Sequence, residues 1–311
     1  MENIEEMISK AWEIRKKNFE DILYVAVPGQ KKYNTLHYSN SKNSFINVSI
    51  TGKKCLLNCK HCRKKILEHM VPIKEPNALI DFGKKMKEKG CKGFLISGGS
   101  DLEGKVPLEK FYNALKELKK IGFEIVVHTG LIDEKNARIL KETGIDQVLI
   151  DVIGDKETIK NVYNLDKKPI DFMNCLRIMK KVGLSLAPHI VVGLNYGKIS
   201  GEYEALKFIK KVGVDRIVIV IFTPLIGTEM ENVKPPTWKE VVKLCTFARI
   251  SNPKTPISLG CIRSGRDRKI LEKKIIDAGI NAIAYPLDGS IDYAESIGLK
   301  IIFNEKCCSL V

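Results

Sequence analysis

The run Phe45-Ile46-Asn47-Val48-Ser49-Ile50, followed by Thr51-Gly52-Lys53-Lys54-Cys55-Leu56-Leu57-Asn58-Cys59-Lys60-His61-Cys62, decides how this 311-residue chain is read. Its first six residues form an apolar, strand-length run. The loop that follows carries three thiols spaced C-x3-C-x2-C. Three thiolates on one short loop suit three irons of a cubane and leave the fourth iron without a protein ligand. An open iron can chelate a small molecule, which suits catalysis, whereas a structural site closes its shell. Structural zinc is the competing reading. Zinc wants four ligands in paired spacings, and no second C-x2-C pair follows, although His61 lies inside the loop as a candidate fourth. Incidental packing thiols are the third reading.

Outward from this stretch, short β-branched runs alternate with amphipathic segments. Strands are predicted at 45–50, 93–97, 124–128, 146–151, 184–192, 215–222, 256–260 and 281–284. Helices are predicted near 76–89, 108–120, 133–143, 156–180 with a break near Pro169, 200–212, 237–250, 267–278 and 290–297. Gly90, Gly122, Gly144, Gly183, Gly213 and Gly279 each follow a helix, where a left-handed closing residue belongs. Eight such units over about 240 residues predict an α/β fold, a parallel (β/α)8 TIM-type barrel, with a doubly wound open sheet as runner-up. Residues 1–44 read as an N-terminal helix (2–20) and a polar link, 45–285 as the barrel, and 286–311 as a C-terminal extension. Barrel chemistry sits at the C-terminal ends of the strands, and the cysteine loop follows the first strand of the barrel.

Composition narrows the class. The chain is 44% hydrophobic and 29% charged, enough for a large core. Its longest apolar runs, such as Ile217–Phe222, fall far short of the ~20 residues a membrane helix needs. The N-terminal segment is Glu-rich without a signal-type apolar stretch, so a cytoplasmic protein with no membrane partner is expected. Nine cysteines in a chain of this length are no disulfide framework and fit reduced thiols and metal ligation. Net charge is +15. The lysines come in pairs on predicted helix faces, such as Lys119-Lys120 and Lys210-Lys211, which weighs against a nucleic-acid surface.

Cys55-x3-Cys59-x2-Cys62 after one strand, with Ser97-Gly98-Gly99 ending the next, resembles the radical S-adenosylmethionine (SAM) superfamily. That resemblance implies a [4Fe–4S] cluster on Cys55, Cys59 and Cys62, with SAM chelated at the open iron. It implies reductive cleavage of SAM to a 5′-deoxyadenosyl radical that abstracts substrate hydrogen, with an electron donor such as ferredoxin or flavodoxin. It also places Ser97, Gly98 and Gly99 beside the methionine amino group and His61 in the slot that packs on adenine. His189-Ile190-Val191-Val192-Gly193-Leu194 resembles the family's fifth-strand motif, which brings Val191 and Gly193 to the adenine. Asp151 falls where the family places polar side chains on the SAM ribose; His128 and His189 are candidates to face substrate.

Phe222-Thr223-Pro224-Leu225-Ile226-Gly227-Thr228, Phe247-Ala248-Arg249-Ile250 and Ile257-Ser258-Leu259-Gly260-Cys261-Ile262-Arg263-Ser264-Gly265-Arg266 resemble biotin synthase and its relatives. Arg263 and Arg266 are candidates to hold a carboxylate of SAM or substrate. Biotin synthase holds a second cluster on three cysteines and an arginine. The cysteine positions fall near Leu95, Val127 and Ala187 here, and the arginine position falls on Cys261. The chain is therefore not read as an ordinary biotin synthase. Cys261 with Cys307 and Cys308 forms a candidate auxiliary-cluster set, against a small core residue and two incidental tail thiols. Cys91, Cys175 and Cys245 read as packing residues. Biotin-synthase-like components of two-part lipoyl synthases share this look, which implies sulfur insertion, a partner radical SAM subunit, and a small-molecule or carrier-protein-bound substrate. The alternatives are a radical SAM methylation, rearrangement or cofactor-maturation reaction without an auxiliary cluster, and a non-catalytic iron–sulfur electron-transfer module.

Overall fold

The computed structural model describes residues 3–263, 265 and 267–311. In chain order its elements are α1 (Ile4–Asn18), β1 (Ile22–Ala26), β2 (Phe45–Ser49), β3 (Val71–Pro72), α2 (Pro76–Glu88), β4 (Gly93–Ser97), α3 (Tyr112–Ile121), β5 (Glu124–His128), α4 (Glu134–Glu142) and β6 (Gln147–Asp151). There follow α5 (Lys156–Asn161), α6 (Pro169–Lys181), β7 (Leu186–Val192), α7 (Glu202–Val212), β8 (Ile217–Ile221), α8 (Trp238–Ser251), β9 (Ile257–Leu259), α9 (Arg268–Asp277), β10 (Ala282–Ala284), α10 (Asp288–Ser296) and β11 (Lys300–Asn304). Pro169 does divide the long predicted helix, standing in the first turn of α6, where its missing N–H costs nothing.

The strands form one curled, parallel, eleven-stranded sheet in the order β11-β1-β10-β9-β8-β7-β6-β5-β4-β2-β3. This is a TIM-type partial barrel. Covered by helices, its strands are apolar runs rather than alternating ones; all five residues of β8 are buried. The closed eight-stranded barrel expected from the repeat needs two corrections. Three further strands exist: β1, β3 and β11. The sheet also keeps two edges, at β11 and β3. Because β1 and β11 pair with each other in register from Ile22↔Lys300 to Ala26↔Asn304, segments 1–44 and 286–311 both contribute strands to the barrel sheet.

The C-terminal tail crosses the seam between those edges. The buried Glu305 carboxylate accepts from the Ser41 amide at 2.6 Å and from the Tyr38 hydroxyl at 3.2 Å. Tyr38 in turn stacks on Phe303, ring centroids 4.5 Å apart. Lys306 reaches the Glu124 carboxylate at the start of β5. The tail therefore runs inward from β11 rather than away from the barrel.

Arg249 owes its place in the biotin-synthase-like segment to packing. Its buried guanidinium donates to the carbonyls of Gly279, Asn252, Pro253 and Thr255 and to the Asn281 side chain. It ties α8 to the start of β10. A buried cation satisfied this fully is a structural clamp.

Candidate functional site

The cysteine loop leaves β2 through a tight turn. Ser49 Oγ donates to the Gly52 carbonyl at 2.6 Å, and Gly52 sits at φ +60°. The end of β4 then presses against the loop. The Gly99 amide donates to Thr51 Oγ1 at 2.7 Å and the Leu56 amide to the Ser100 carbonyl at 2.8 Å. A Cβ at Gly99 would stand 2.0 Å from the Lys54 carbonyl oxygen and 2.4 Å from Cys55 Cβ. Glycine is obligatory there so that two backbones can touch. Ser97 is half-buried, and its carbonyl is taken by the Ile50 amide; Gly98 lies over the Thr51 side chain.

Ligating atoms of Cys59, His61 and Cys62 all lie within 4.8 Å of one another, with Cys55 half-buried on the same loop. Cys62 is held below the usual thiol range by its neighbours Cys59 and then His61, while the nearness of Cys62 and burial push Cys59 up. His61 Nδ1 is buried without a partner, and the ring stacks on Tyr163 with centroids 5.1 Å apart. Two thiols and an imidazole gathered after β2, with Cys55 beyond that 4.8 Å group but on the same short loop, are a donor set that fits an iron–sulfur cluster.

Asp151, His128 and His189 meet at the adjoining strand ends. His128 Nε2 is 3.5 Å from Asp151 Oδ1, and the two imidazole centroids are 6.0 Å apart. Tyr163 donates its hydroxyl to Asp151 Oδ2 at 2.8 Å. Burial opposes ionisation of Asp151, but the His128 bond, both imidazoles and the Tyr163 hydroxyl outweigh it and hold the carboxyl below its ordinary range. Burial pushes His189 down to about 4, against the pull of Asp151. The carboxylate is therefore ionised and the His189 ring neutral at pH 7. Asp151 and Val191 line one narrow pocket of about 20 Å³, shared with Gly154, Leu194 and Glu202. Gly193, at φ +79°, spends its amide on the Glu202 carboxylate at 2.8 Å, and its α-carbon faces Pro236.

Arg263 departs from its expected role. Its guanidinium is 2% exposed and paired with the fully buried Glu272 at 2.8 Å; it also donates to the carbonyls of Gly260, Ala284 and Tyr285. Every nitrogen is engaged inside the protein, so the side chain anchors the loop after β9 instead of offering itself to a carboxylate. Arg266 lies outside the described residues. Glu272 has its carboxyl lowered: burial works against ionisation, but Arg263 and the hydrogen bonds win. A depressed folded pKa gives stability that is complete above the unfolded carboxyl range, near pH ~4.3, and is lost as pH falls through the folded value. Glu272→Gln should lower stability by about 3–5 kcal/mol by stranding a buried cation, read as a drop in Tm at pH 7 that shrinks on acidification.

The tail thiols come together as expected in part. Ser309 Oγ donates to Cys307 Sγ at 3.3 Å, and Cys307 is pushed down to about 6 by its neighbour Cys308 and then Ser309. Cys261, Tyr285 and Arg216 are close enough for their charges to act on this pair. The three thiols do not share a single-ion shell; among the described residues, only Cys59–His61–Cys62 and His37–Asp292–Glu295 gather within 4.8 Å. Cys91, Cys175 and Cys245 are buried. Sequence reasoning missed Tyr163, because nothing local marks a tyrosine whose partners lie 12 and about a hundred residues away.

The fold and the cysteine loop define an iron–sulfur α/β partial-barrel protein. Residues 49–200 match the family model described as the Radical SAM superfamily, which supports the same family as the cysteine loop. Its curated relatives include biotin synthases at low identity. Biotin synthase of Vesicomyosocius okutanii is 22% identical over 284 residues, covering 86% of this chain and 83% of that protein. Biotin synthase of Methylacidiphilum infernorum is 24% identical over 250 residues, covering 76% and 78%. In fold, the chain is similar to methylornithine synthase (TM-score 0.65, 16% identity, 97% of this chain and 91% of that one). It is also similar to the [FeFe]-hydrogenase maturase HydG (TM-score 0.66, 15% identity, 91% and 62%). The family's cofactors are a [4Fe–4S] cluster and SAM. No helix among the described residues is long and apolar enough to cross a membrane.

Proposed function

We propose that this radical SAM enzyme inserts sulfur into an unactivated substrate, with Cys55, Cys59 and Cys62 holding the SAM cluster and Cys261, Cys307 and Cys308 holding a second one. What supports the reading is the C-terminal tail, which is held against the barrel by Glu305 and Lys306 and carries an adjacent thiol pair within electrostatic reach of Cys261 at the end of β9. Held by Cys55, Cys59 and Cys62, the first cluster would supply the electron for reductive cleavage of SAM, and the second, held by Cys261, Cys307 and Cys308, would supply sulfur.

The chain's own residues do the rest. Asp151, kept ionised, accepts hydrogen bonds from the vicinal ribose hydroxyls of SAM. His61, braced on Tyr163, gives adenine a flat surface, and Val191 offers an apolar one. Gly99 keeps the cysteine loop against the end of β4. His189, neutral, can accept or donate toward substrate without adding charge to the barrel.

A net charge of +15 supports an acidic partner, either a carrier protein bearing the substrate or a ferredoxin- or flavodoxin-type donor, alongside a second radical SAM subunit. The test is anaerobic reconstitution with iron and sulfide, followed by SAM and dithionite. The expected result is 5′-deoxyadenosine formed over many minutes even without substrate. A reconstituted cluster that leaves SAM intact would sink the reading.

A further inference from the structure

The segment just after α5 grips the cysteine loop at four points. The Lys60 amide donates to the Val162 carbonyl at 2.8 Å. Cys59 Sγ donates to the Tyr163 carbonyl at 3.5 Å. Asn164 Nδ2 reaches the Leu57 carbonyl at 3.0 Å and the Asn58 carbonyl at 3.2 Å. Asn164 adopts φ +54°, a left-handed conformation that asparagine tolerates, and this turns the segment back over the loop.

The middle residue faces two ways. The Tyr163 backbone and ring hold Cys59 and His61, while its hydroxyl, at the far end of the same rigid ring, donates to Asp151 Oδ2 at 2.8 Å. The other Asp151 oxygen faces His128. Asp151 therefore cannot rotate about its last bond without breaking the Tyr163 bond. The distance between the cysteine loop and the carboxylate is set by one phenyl ring.

We propose that Tyr163 is a positioning residue that couples the cysteine loop to Asp151, so that the cluster and the ribose-binding carboxylate are held at one fixed separation for SAM. The inference rests on the assignment of Asp151 to SAM. A ligand that spans both points gains when the span is set in advance, because the two ends need not be ordered on binding. Supporting groups of this kind hold a first contact in its productive rotamer and cost affinity when removed. A phenylalanine keeps the ring on His61 and every backbone bond to the loop, and removes only the hydroxyl.

The experiment is a double-mutant cycle on the cluster-loaded enzyme: wild type, Tyr163→Phe, Asp151→Asn, and both together. SAM is titrated against the electron paramagnetic resonance spectrum of the reduced cluster, and iron per chain is measured for each protein. Tyr163→Phe should keep full iron content and weaken SAM binding about tenfold or more, the weight of a hydrogen bond to a charged group. In the Asp151→Asn background the same change should add less than about twofold, since the two act through one contact. Asn164→Ala, which removes two bonds to the loop but not the hydroxyl, should instead speed iron loss to a chelator several-fold. Additive effects of the two substitutions, or full SAM affinity in Tyr163→Phe alongside weak binding in Asp151→Asn, would overturn the coupling and leave the role of Asp151 intact. Full affinity in Asp151→Asn would overturn both.

Discussion

Cys59→Ser is expected to abolish SAM cleavage and to strip the reconstituted enzyme of its first cluster. Cys59 is 6% exposed and is the innermost of the three thiols on its loop. Its sulfur already lies within a ligand's reach of Cys62 and His61. A serine oxygen is a harder, far less acidic donor, and two remaining thiolates do not secure a cubane in water. The cluster-bound iron of this loop should fall from about four per chain toward zero. The measurements are iron and sulfide analysis and chromatographic detection of 5′-deoxyadenosine. Cys91→Ala supplies the contrast: Cys91 is buried and donates only to the Gly93 carbonyl, so cluster and cleavage should survive. A Cys59→Ser enzyme that still released 5′-deoxyadenosine would remove the cysteine loop from the mechanism.

The second large effect is expected at the other end of the chain. Replacing Cys261, Cys307 and Cys308 together with alanine should halve the iron, from about eight to about four per chain, and end sulfur transfer. Release of 5′-deoxyadenosine should persist, because the proposed SAM site is built from other strands. The tail should also stay seated, since Glu305 and Lys306 hold it through Ser41, Tyr38 and Glu124. If the wild-type enzyme carries about four irons in total, the auxiliary site is refuted. The chemistry would then pass to reactions that need only the radical.

Much of this was legible in the residues. The eight expected barrel strands were found within a few positions of their apolar runs, because strands buried on both faces carry unbroken hydrophobic signals. The thiol spacing suggested metal ligation, and only with Ser97-Gly98-Gly99 beside it did it resemble the radical SAM superfamily. Gly99 was legible as a close approach, although its first contact proves to be the cysteine loop. Arg263 was misread. Its sequence neighbours suggested a rim arginine, yet Glu272 and three backbone carbonyls enclose it. β1 was passed over because Ile22–Ala26 stands between two polar segments and finds its partners, β10 and β11, more than 250 residues later.

By itself, then, the sequence determined what depends on near neighbours: the period of each strand and helix, the helix-ending glycines, and three cysteines on one short loop. The tertiary structure alone decided what depends on distant ones. It left the sheet open at a seam bridged by Glu305 and Lys306 and turned the tail thiols inward. It also set Tyr163 between Cys59 and Asp151. The physical reason is range: hydrogen bonds and ion pairs act over a few ångströms of space, and a chain's order says little about which remote groups folding will bring that close.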